Sequence, residues 1–546
     1  MKIFTSQNFK VCKILCIIML SSYWLSANSL EKTLDLMEKQ EFQDYIQEEQ
    51  ESFSAQNIHE ENKLEIKNNS RFIFERIVLF NKDSVVSNVD YILKKFTSKE
   101  IGVNEIYSLV EELTDYFLDK GYSTTAIGIR KIDTENKTLE LEVYDGLVNE
   151  IILNGKKDSL RVFFGMPLKK GEKFNIFDLD MGIENLSEVS EDIDVSIQPS
   201  SQDGYSDIVI TDQIKPIGLS ASIDNSGVED KGTYKINLGV SLNNITNTND
   251  TLKVSLNTYP IQKKHSKEYG VSTNYTLPFR YNQFYVAYQF LQATDTSSGF
   301  LVSNQAHNYL IGYKRFFDRS QSSKKATYIN FLIKQRINKI SDLTLLLSSK
   351  TYGSAVLGFE YSKSLHQGFF YISFEYERGI PLSKQDERSV YKMDYNKINI
   401  NSNFQYSFPI LKNLYMSYRG TLGGSYSDCT LLGLNKFSIG DEYSVRGFKK
   451  YSVDLDYGLY VNNTLSLGFS SKNKFLQDFQ LFSGFDFGWG RDYLLPSDDV
   501  LVGTALGVRY THPNINASLT VSRAIHKPTS LPSNGYPVYL RIGVMM

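Results

Sequence analysis

From about residue 216 to Met546, apolar and polar residues alternate with a period of two, segment after segment. Tyr234, Ile236, Leu238, Val240 and Leu242 alternate with Lys235, Asn237, Gly239 and Ser241. Ile398, Ile400, Phe404, Tyr406 and Phe408 alternate with Asn399, Asn401, Asn403 and Gln405, and Leu540, Ile542 and Val544 with Arg541 and Gly543. Successive side chains of a β-strand point to opposite faces, so each segment predicts a strand with one apolar and one polar face. About sixteen such segments follow one another, near 216–224, 233–243, 250–258, 268–276, 281–291, 307–317, 325–337, 353–361, 368–378, 396–407, 413–424, 455–468, 477–488, 500–511, 514–523 and 537–546. A soluble sandwich shows the same alternation but rarely sustains it over such a length. The pattern predicts a transmembrane antiparallel β-barrel of about 16 strands over residues 215–546, lipid outside and water inside. Closure also removes the edges that an open sheet would expose.

Upstream the periodicity is mixed. In residues 71–147, FIFERIVLF (72–80) predicts a strand, and Asn104 is placed to cap a helix over 105–119 whose Ile106, Leu109, Val110, Leu113 and Phe117 share one face. Gly121 ends that helix, and strands follow near 124–132 and 138–145. Residues 148–214 repeat the plan: a strand at 148–153, a helix capped by Asn175 and carrying Leu179, Ile183 and Leu186, then strands near 192–198 and 206–211. Two consecutive small α+β domains are therefore expected before the barrel.

The first 70 residues belong to neither. Residues 1–29 read as a signal peptide: Lys2, Lys10 and Lys13, an apolar run from Ile14 to Leu25, then small residues at Ser26, Ala27 and Ser29. That run is too short to span a bilayer of ~30 Å. Residues 30–70 form a leader helix and linker. The helix at 30–52 has a thin apolar stripe of Leu30, Leu34, Met37 and Tyr45 on an acidic and amide-rich body. It suits either a solvated leader or a helix docked somewhere polar, such as the inside of a wide barrel.

Composition removes several classes of function. The chain has 36 Tyr against 2 Trp and only 12 Pro, a mixture suited to many strands meeting lipid and water. A formal net charge of −3 gives no footprint for nucleic acid. Of three cysteines, Cys12 and Cys16 lie in the predicted signal peptide, leaving Cys429 alone. The six histidines lie far apart, and no metal-ligand spacing, phosphate loop, nucleophile elbow or dinucleotide fingerprint is present. No enzymatic activity, no cofactor and no metal are expected.

Several motifs now resemble a known family. Phe117-Leu118-Asp119-Lys120-Gly121-Tyr122-Ser123-Thr124 is similar to the helix end and Gly-Tyr-x-Thr of POTRA (polypeptide-transport-associated) domains. The stretch Phe164-Gly165-Met166-Pro167, Phe174-Asn175-Ile176-Phe177-Asp178-Leu179, Gly182-Ile183-Glu184-Asn185-Leu186 and Gly204-Tyr205-Ser206-Asp207 resembles a second such domain. Ile223-Asp224-Asn225-Ser226-Gly227 resembles the opening of the barrel. The motif Val445-Arg446-Gly447-Phe448 resembles the lumen loop of POTRA-bearing outer-membrane barrels, and Phe485-Asp486-Phe487-Gly488-Trp489-Gly490 its partner on the wall. From residue 71 onward the chain resembles the transporter half of two-partner secretion. Two departures stand out: Asn463-Thr464-Leu465 where the family commonly has Asn-Glu-Leu, and a terminal Val544-Met545-Met546 where such barrels commonly end in Phe.

The resemblance implies an outer-membrane location in a Gram-negative bacterium with the POTRA-like domains in the periplasm. It implies a secreted exoprotein of adhesin or cytolysin type as cargo, and contact with the barrel-assembly machinery during biogenesis. The chain is expected to be monomeric. A barrel-assembly factor and a passive porin are the alternatives, the latter leaving residues 71–214 without a purpose. The residues themselves add one physical point. Phe479, Leu481, Phe485, Phe487 and Trp489 share the apolar face of a strand, so Asp486 points into the lumen beside Gly484 and Gly488. Arg446 sits on a polar loop of about 25 residues, long enough to reach it, and an arginine fork matches a carboxylate in shape and charge. Two residues solvating a wet lumen would read the same way.

Overall fold

The structure is a computed structural model. It describes residues 32–47, 49–50, 71–81, 89–157, 159–227, 232–262, 265–346, 348–384, 389–449, 451–471, 473–495, 497–529, 531–532 and 535–546. The predicted signal peptide at 1–29 and the linker at 53–70 lie outside these residues.

Sixteen long antiparallel strands, Ile217–Asp224 through Val538–Met545, form a closed barrel, with a two-residue spur at Leu343–Thr344. Closure is between the first strand and the last, through Asp224↔Arg541 to Ser220↔Met545. The terminal Met546 takes part: its N–H donates to Leu219 O at 2.8 Å and its carbonyl accepts from Leu219 N at 2.9 Å. The backbone thus carries the seam as far as Met546. Among the described residues no helix is long and apolar enough to cross a membrane; the strands make the crossing. Leu238, Phe284, Val286, Phe331, Leu357, Phe485 and Leu506 are exposed on the outer face. Glu268, Lys324, Glu360, Asn403 and Thr421 are buried on the inner one. Strands of 14 to 18 residues, such as Val302–Arg319, exceed the alternating cores because their rims are polar on both faces.

In the first α+β unit, helix Val103–Asp119 lays Ile106, Leu109, Leu113 and Phe117 on a sheet carrying Leu139, Leu141 and Val143. Two expectations change here. The run 72–80 is two strands, Arg71–Ile73 and Arg76–Phe80, the first paired with Glu100–Gly102 and the second parallel to Thr138–Tyr144. The break falls where the N–H groups of Glu75 and Arg76 both turn to Lys137 O. The helix begins at Val103, so Asn104 lies inside it; Glu105 accepts from Gly102 N at 2.9 Å and does the capping. A second helix, Asp90–Phe96, precedes it, over residues to which the sequence pattern assigned no element.

The second unit pairs Leu147–Leu153, Tyr205–Ile214 and Ser190–Pro199 under helix Ile176–Ser187. Asn175 caps that helix by accepting from Phe177 N at 2.8 Å. It also joins the two units, donating to Lys120 O at 2.9 Å, while Ile176 N donates to Gly121 O at 2.7 Å.

The second unit is bonded to the barrel end that has the short connections 280–281, 320–322, 366–367, 412–413 and 513–514. Arg161 is nearly fully buried and forks onto Asp212 at 2.6 and 3.1 Å, and its Nε donates to Asn249 Oδ1 on a barrel turn at 2.7 Å. Burial alone would raise the Asp212 carboxyl, but the bonds from Arg161 and Ser190 outweigh it and hold it below its ordinary value. Glu184 pairs with Arg319 at 3.0 Å and Lys324 at 2.8 Å, both from the barrel.

Candidate functional site

Two elements fill the lumen. One is the connection 428–456 between strands Leu414–Ser427 and Tyr457–Phe469, which folds into the barrel and places residues 445–448 on the inner wall. Its base is a short ribbon, Phe437–Ile439 with Val453–Leu455. Asp441 then accepts from the N–H groups of Tyr443 at 2.7 Å and Ser444 at 2.8 Å, turning the chain toward the wall.

At the tip, Arg446 and Asp486 meet. Arg446 Nε donates to Asp486 Oδ2 and Nη2 to Oδ1, both at 2.7 Å, and the Arg446 backbone N–H adds a third bond to Oδ2 at 3.0 Å. Asp486 is 0% exposed and Arg446 5%. The contact runs through the wall's own hydrogen bonding. The ladder between strands Tyr457–Phe469 and Phe479–Arg491 skips from Val461↔Phe487 to Thr464↔Gly484. In the gap, Asn463 N donates to Asp486 Oδ1 at 3.1 Å, and Asn463 O accepts from Arg446 Nη2 at 2.7 Å. Asn463 Nδ2 donates to Phe485 O at 2.8 Å. Loop and wall thus satisfy each other's polar groups, as a buried network must.

The wall is shaped for this approach. A Cβ on Gly503 would stand 1.8 Å from Arg446 O, and one on Gly484 2.1 Å from Arg446 Nη2. Gly488 takes Val445, whose Cγ2 would lie 2.8 Å from an added Cβ. Gly447 has φ +108°, a left-handed conformation that lets the chain reverse against Arg523 and Ala524. Val445 and Phe448 enter an apolar cluster with Ile439, Val453, Leu455, Tyr460 and Leu501. The lumen expected from sequence is polar throughout. At this place it is a small core, because glycines on the wall let apolar loop residues pack against the strands. Phe485 stands apart from the rest of its motif: it is 57% exposed on the outer face, and only its carbonyl takes part. Thr464, where a glutamate is the family habit, is buried.

The second element is the helix described over 32–47 and 49–50, which lies inside the barrel. Thr33 Oγ1 donates to Glu268 Oε1 at 3.1 Å, and Leu34 packs on Leu291, Ala293 and Ala306. Lys39 Nζ donates to Asp441 Oδ2 at 2.6 Å and Ser438 O at 2.8 Å, tying helix to loop. Near the other end Ile46 joins Phe369 and Tyr371, Tyr45 OH donates to Glu360 at 3.2 Å, and Lys324 Nζ reaches Glu49 at 2.6 Å. Lys324 also holds Glu184, so a single ammonium joins leader helix, barrel and second unit.

The sequence pattern names Asn463 only as part of a departure from the family motif and assigns no role to Gly503, Lys39 or Asp441. An Asn-Asn pair at 462–463 inside an apolar strand is a signal for the first. Lys39 carries none, since one lysine on a charged helix resembles any other.

Comparison with known proteins agrees with this architecture. Residues 204–510 match the family described as haemolysin secretion/activation protein ShlB/FhaC/HecB, and residues 72–146 match the POTRA domain, ShlB-type. The outer membrane transporter CdiB of Dickeya dadantii is 24% identical, with 72% of each chain covered. The hemolysin transporter protein HpmB of Proteus mirabilis is 25% identical, with 66% of each covered. The solved structure of CdiB from Escherichia coli superposes with a TM-score of 0.84 at 21% identity, covering 94% of this chain and 98% of that one. With more than half of its length matched by the family model, the chain belongs to the ShlB/FhaC/HecB family of haemolysin secretion/activation proteins, as an outer-membrane barrel with its POTRA domains on the periplasmic side.

Proposed function

We propose that this protein carries a secreted partner protein across the outer membrane, by two-partner secretion. The observation that carries the reading is the loop tip locked to the wall by Arg446 and Asp486 inside a sixteen-strand barrel. A barrel of this size encloses space for an extended chain, and the loop gives the inner wall a fixed organising surface. The relatives named as transporters support the same reading.

Capture begins in the periplasm. Ala126–Asp133 and Ser190–Pro199 are sheet edges in the two units, with Ile129, Ile132 and Ile197 exposed along them. An extended cargo segment adds to such an edge through backbone bonds, and the exposed side chains select its sequence. The cargo we envisage is a large exoprotein of adhesin or cytolysin type. Its folding outside the cell prevents back-sliding and draws the chain outward. The leader helix occupies the lumen between transport events and leaves when cargo enters. The protein works as a monomer and is inserted by the barrel-assembly machinery. No step of this work is enzymatic.

The test is Arg446→Ala in the native host. Export of the partner exoprotein is expected to fall much further than the amount of folded barrel, read as the heat-dependent gel shift. Equal loss of both would sink the proposed role of the loop. A general loss of other outer-membrane barrels would point to an assembly factor, and altered solute uptake with normal export to a porin.

A further inference from the structure

The short helix Leu160–Gly165 of the second POTRA unit turns Val162 to its own domain's core but leaves a second apolar face uncovered. Its buried residues are Arg161 and Gly165, while Leu160 and Phe163 are 53% and 54% exposed. Three residues apart, these two share one face. In a helix packed on its own domain the apolar residues would be the covered ones.

What lies beside that face identifies its surroundings. Phe163 and Phe164 pack edge-to-face on Phe279, at centroid distances of 6.1 and 5.6 Å. Phe279 ends the barrel strand Ser266–Phe279. In that strand Leu277 pairs with Phe284 and Tyr275 with Val286, and Phe284 and Val286 are exposed on the barrel's outer face. Phe279 is two residues beyond Leu277, so it belongs to the same lipid-facing side. Arg280 follows in the turn, with its guanidinium 5.3 Å from the Phe163 ring and 5.4 Å from the Phe279 ring. Its backbone N–H donates to Phe164 O at 2.6 Å, and its carbonyl accepts from Asn185 Nδ2 at 2.9 Å. The helix is also pinned through Arg161 to Asn249 and Asp212, so this face is held in place.

We propose that Leu160, Phe163, Phe279 and Arg280 form a foot by which the second POTRA unit rests in the periplasmic leaflet of the outer membrane. The occupant is phospholipid: acyl chain and glycerol region against the two exposed apolar side chains, headgroup phosphate on Arg280. Aromatic rings and arginine are the residues that prefer this boundary, the rings half-immersed and the guanidinium at phosphate level. The patch continues the barrel's lipid-facing surface onto a domain otherwise bathed in water. It fixes the height at which edge Ser190–Pro199 is offered to incoming chains.

The test uses the whole protein reconstituted in phosphatidylethanolamine–phosphatidylglycerol vesicles, with Cys12, Cys16 and Cys429 replaced by Ser. A nitroxide is attached in turn at Leu160→Cys and Phe163→Cys. Val286→Cys on the barrel and Tyr144→Cys on the first unit are the controls. Power saturation by oxygen, which partitions into lipid, is compared with that by a water-soluble nickel chelate. The expected result is oxygen-dominated relaxation at 160 and 163, resembling 286 and opposite to 144. Arg280→Glu is expected to shift both foot positions toward the nickel-accessible side while leaving 286 unchanged. Nickel-dominated relaxation at 160 and 163 would overturn the proposal. Protection from both reagents would overturn it too, by showing that protein, such as a second copy of this chain, covers the face.

Discussion

The lumen loop and the leader helix occupy the same barrel, yet they are held by different physics. The loop presents Phe437, Ile439, Val445, Phe448, Val453 and Leu455 to one apolar cluster and closes it with a buried fork. At about 1.5–3 kcal/mol for each fully buried apolar side chain, that cluster is the larger share of its attachment. The helix commits Leu34 to one small cluster, and Ile46 with partly buried Phe42 and Tyr45 to another. The remaining contacts include polar bonds from the ends of Lys32, Lys39, Tyr45 and Glu49. Of these, Lys39–Asp441 and Lys324–Glu49 are buried ion pairs like the loop's own fork, so the difference between the two elements lies in the apolar packing, which is smaller for the helix. The loop's attachment thus rests mainly on apolar packing and the helix's more on polar pairs, which fits the proposal that the loop stays and the helix leaves.

That contrast can be broken at its strongest point by Asp486→Ala, which leaves the Arg446 guanidinium buried without its carboxylate. The loop is expected to lose about 3–5 kcal/mol of docking, seen as new protease cleavage within 428–456 and a lower temperature for the gel shift. Adding Arg446→Ala should restore part of this, so that the two effects fail to add by about 1 kcal/mol or more. A loop that stays protected in the single variant would remove the distinction. Gly503→Val tests shape alone, because its side chain enters the space of Arg446 O; about 1–3 kcal/mol is expected in the same assays, with the charges intact.

Lys39→Met should act on the other element. It removes the bonds to Asp441, Ser438 and Asp35 at a cost of about 1–3 kcal/mol. The expected result is a rise in single-channel conductance across planar bilayers while the loop stays protease-resistant. Exposure of the loop in this variant would mean that helix and loop come away together. The smallest effect is expected from Glu49→Gln, since Lys324 keeps Glu184 and Ser362 keeps a neutral acceptor; more frequent brief openings, without a change of conductance level, would register it.

The barrel was legible because lipid on one side and water on the other enforce a strict period of two. Strand ends were less so, since at the rims both faces meet polar surroundings; Lys350–Leu365 shows its alternation only in the middle. The docked pair was legible through parity and the motif, but the apolar cluster around it was not. Ile439, Val445, Phe448 and Val453 follow no period, and their counterparts on the wall are glycines, which hydropathy does not score. In the first domain the apolar run 72–80 is interrupted only by Glu75-Arg76, and the strand breaks there, where both N–H groups turn to Lys137 O; that charged pair was the one trace of the break in residue type. The leader helix showed only a thin stripe because the wall meets it with long polar side chains as well as small apolar ones.

The gap in the ladder at Asn462 and Asn463 bears on how the molecule is made. Two neighbouring strands of the wall lack direct pairing there; Asn463 N is met by Asp486 of the wall itself, and Asn463 O by Arg446 from the segment that enters the lumen. Before it enters, Asn463 O lacks its arginine, and the Asp486 carboxylate, bonded to Asn463 N, faces lumen water without a counter-charge. Insertion of the loop therefore completes the polar bonding at this level of the wall. A barrel with the loop outside lacks the Arg446–Asp486 bonds and is expected to be weaker at this level of the wall than the finished protein.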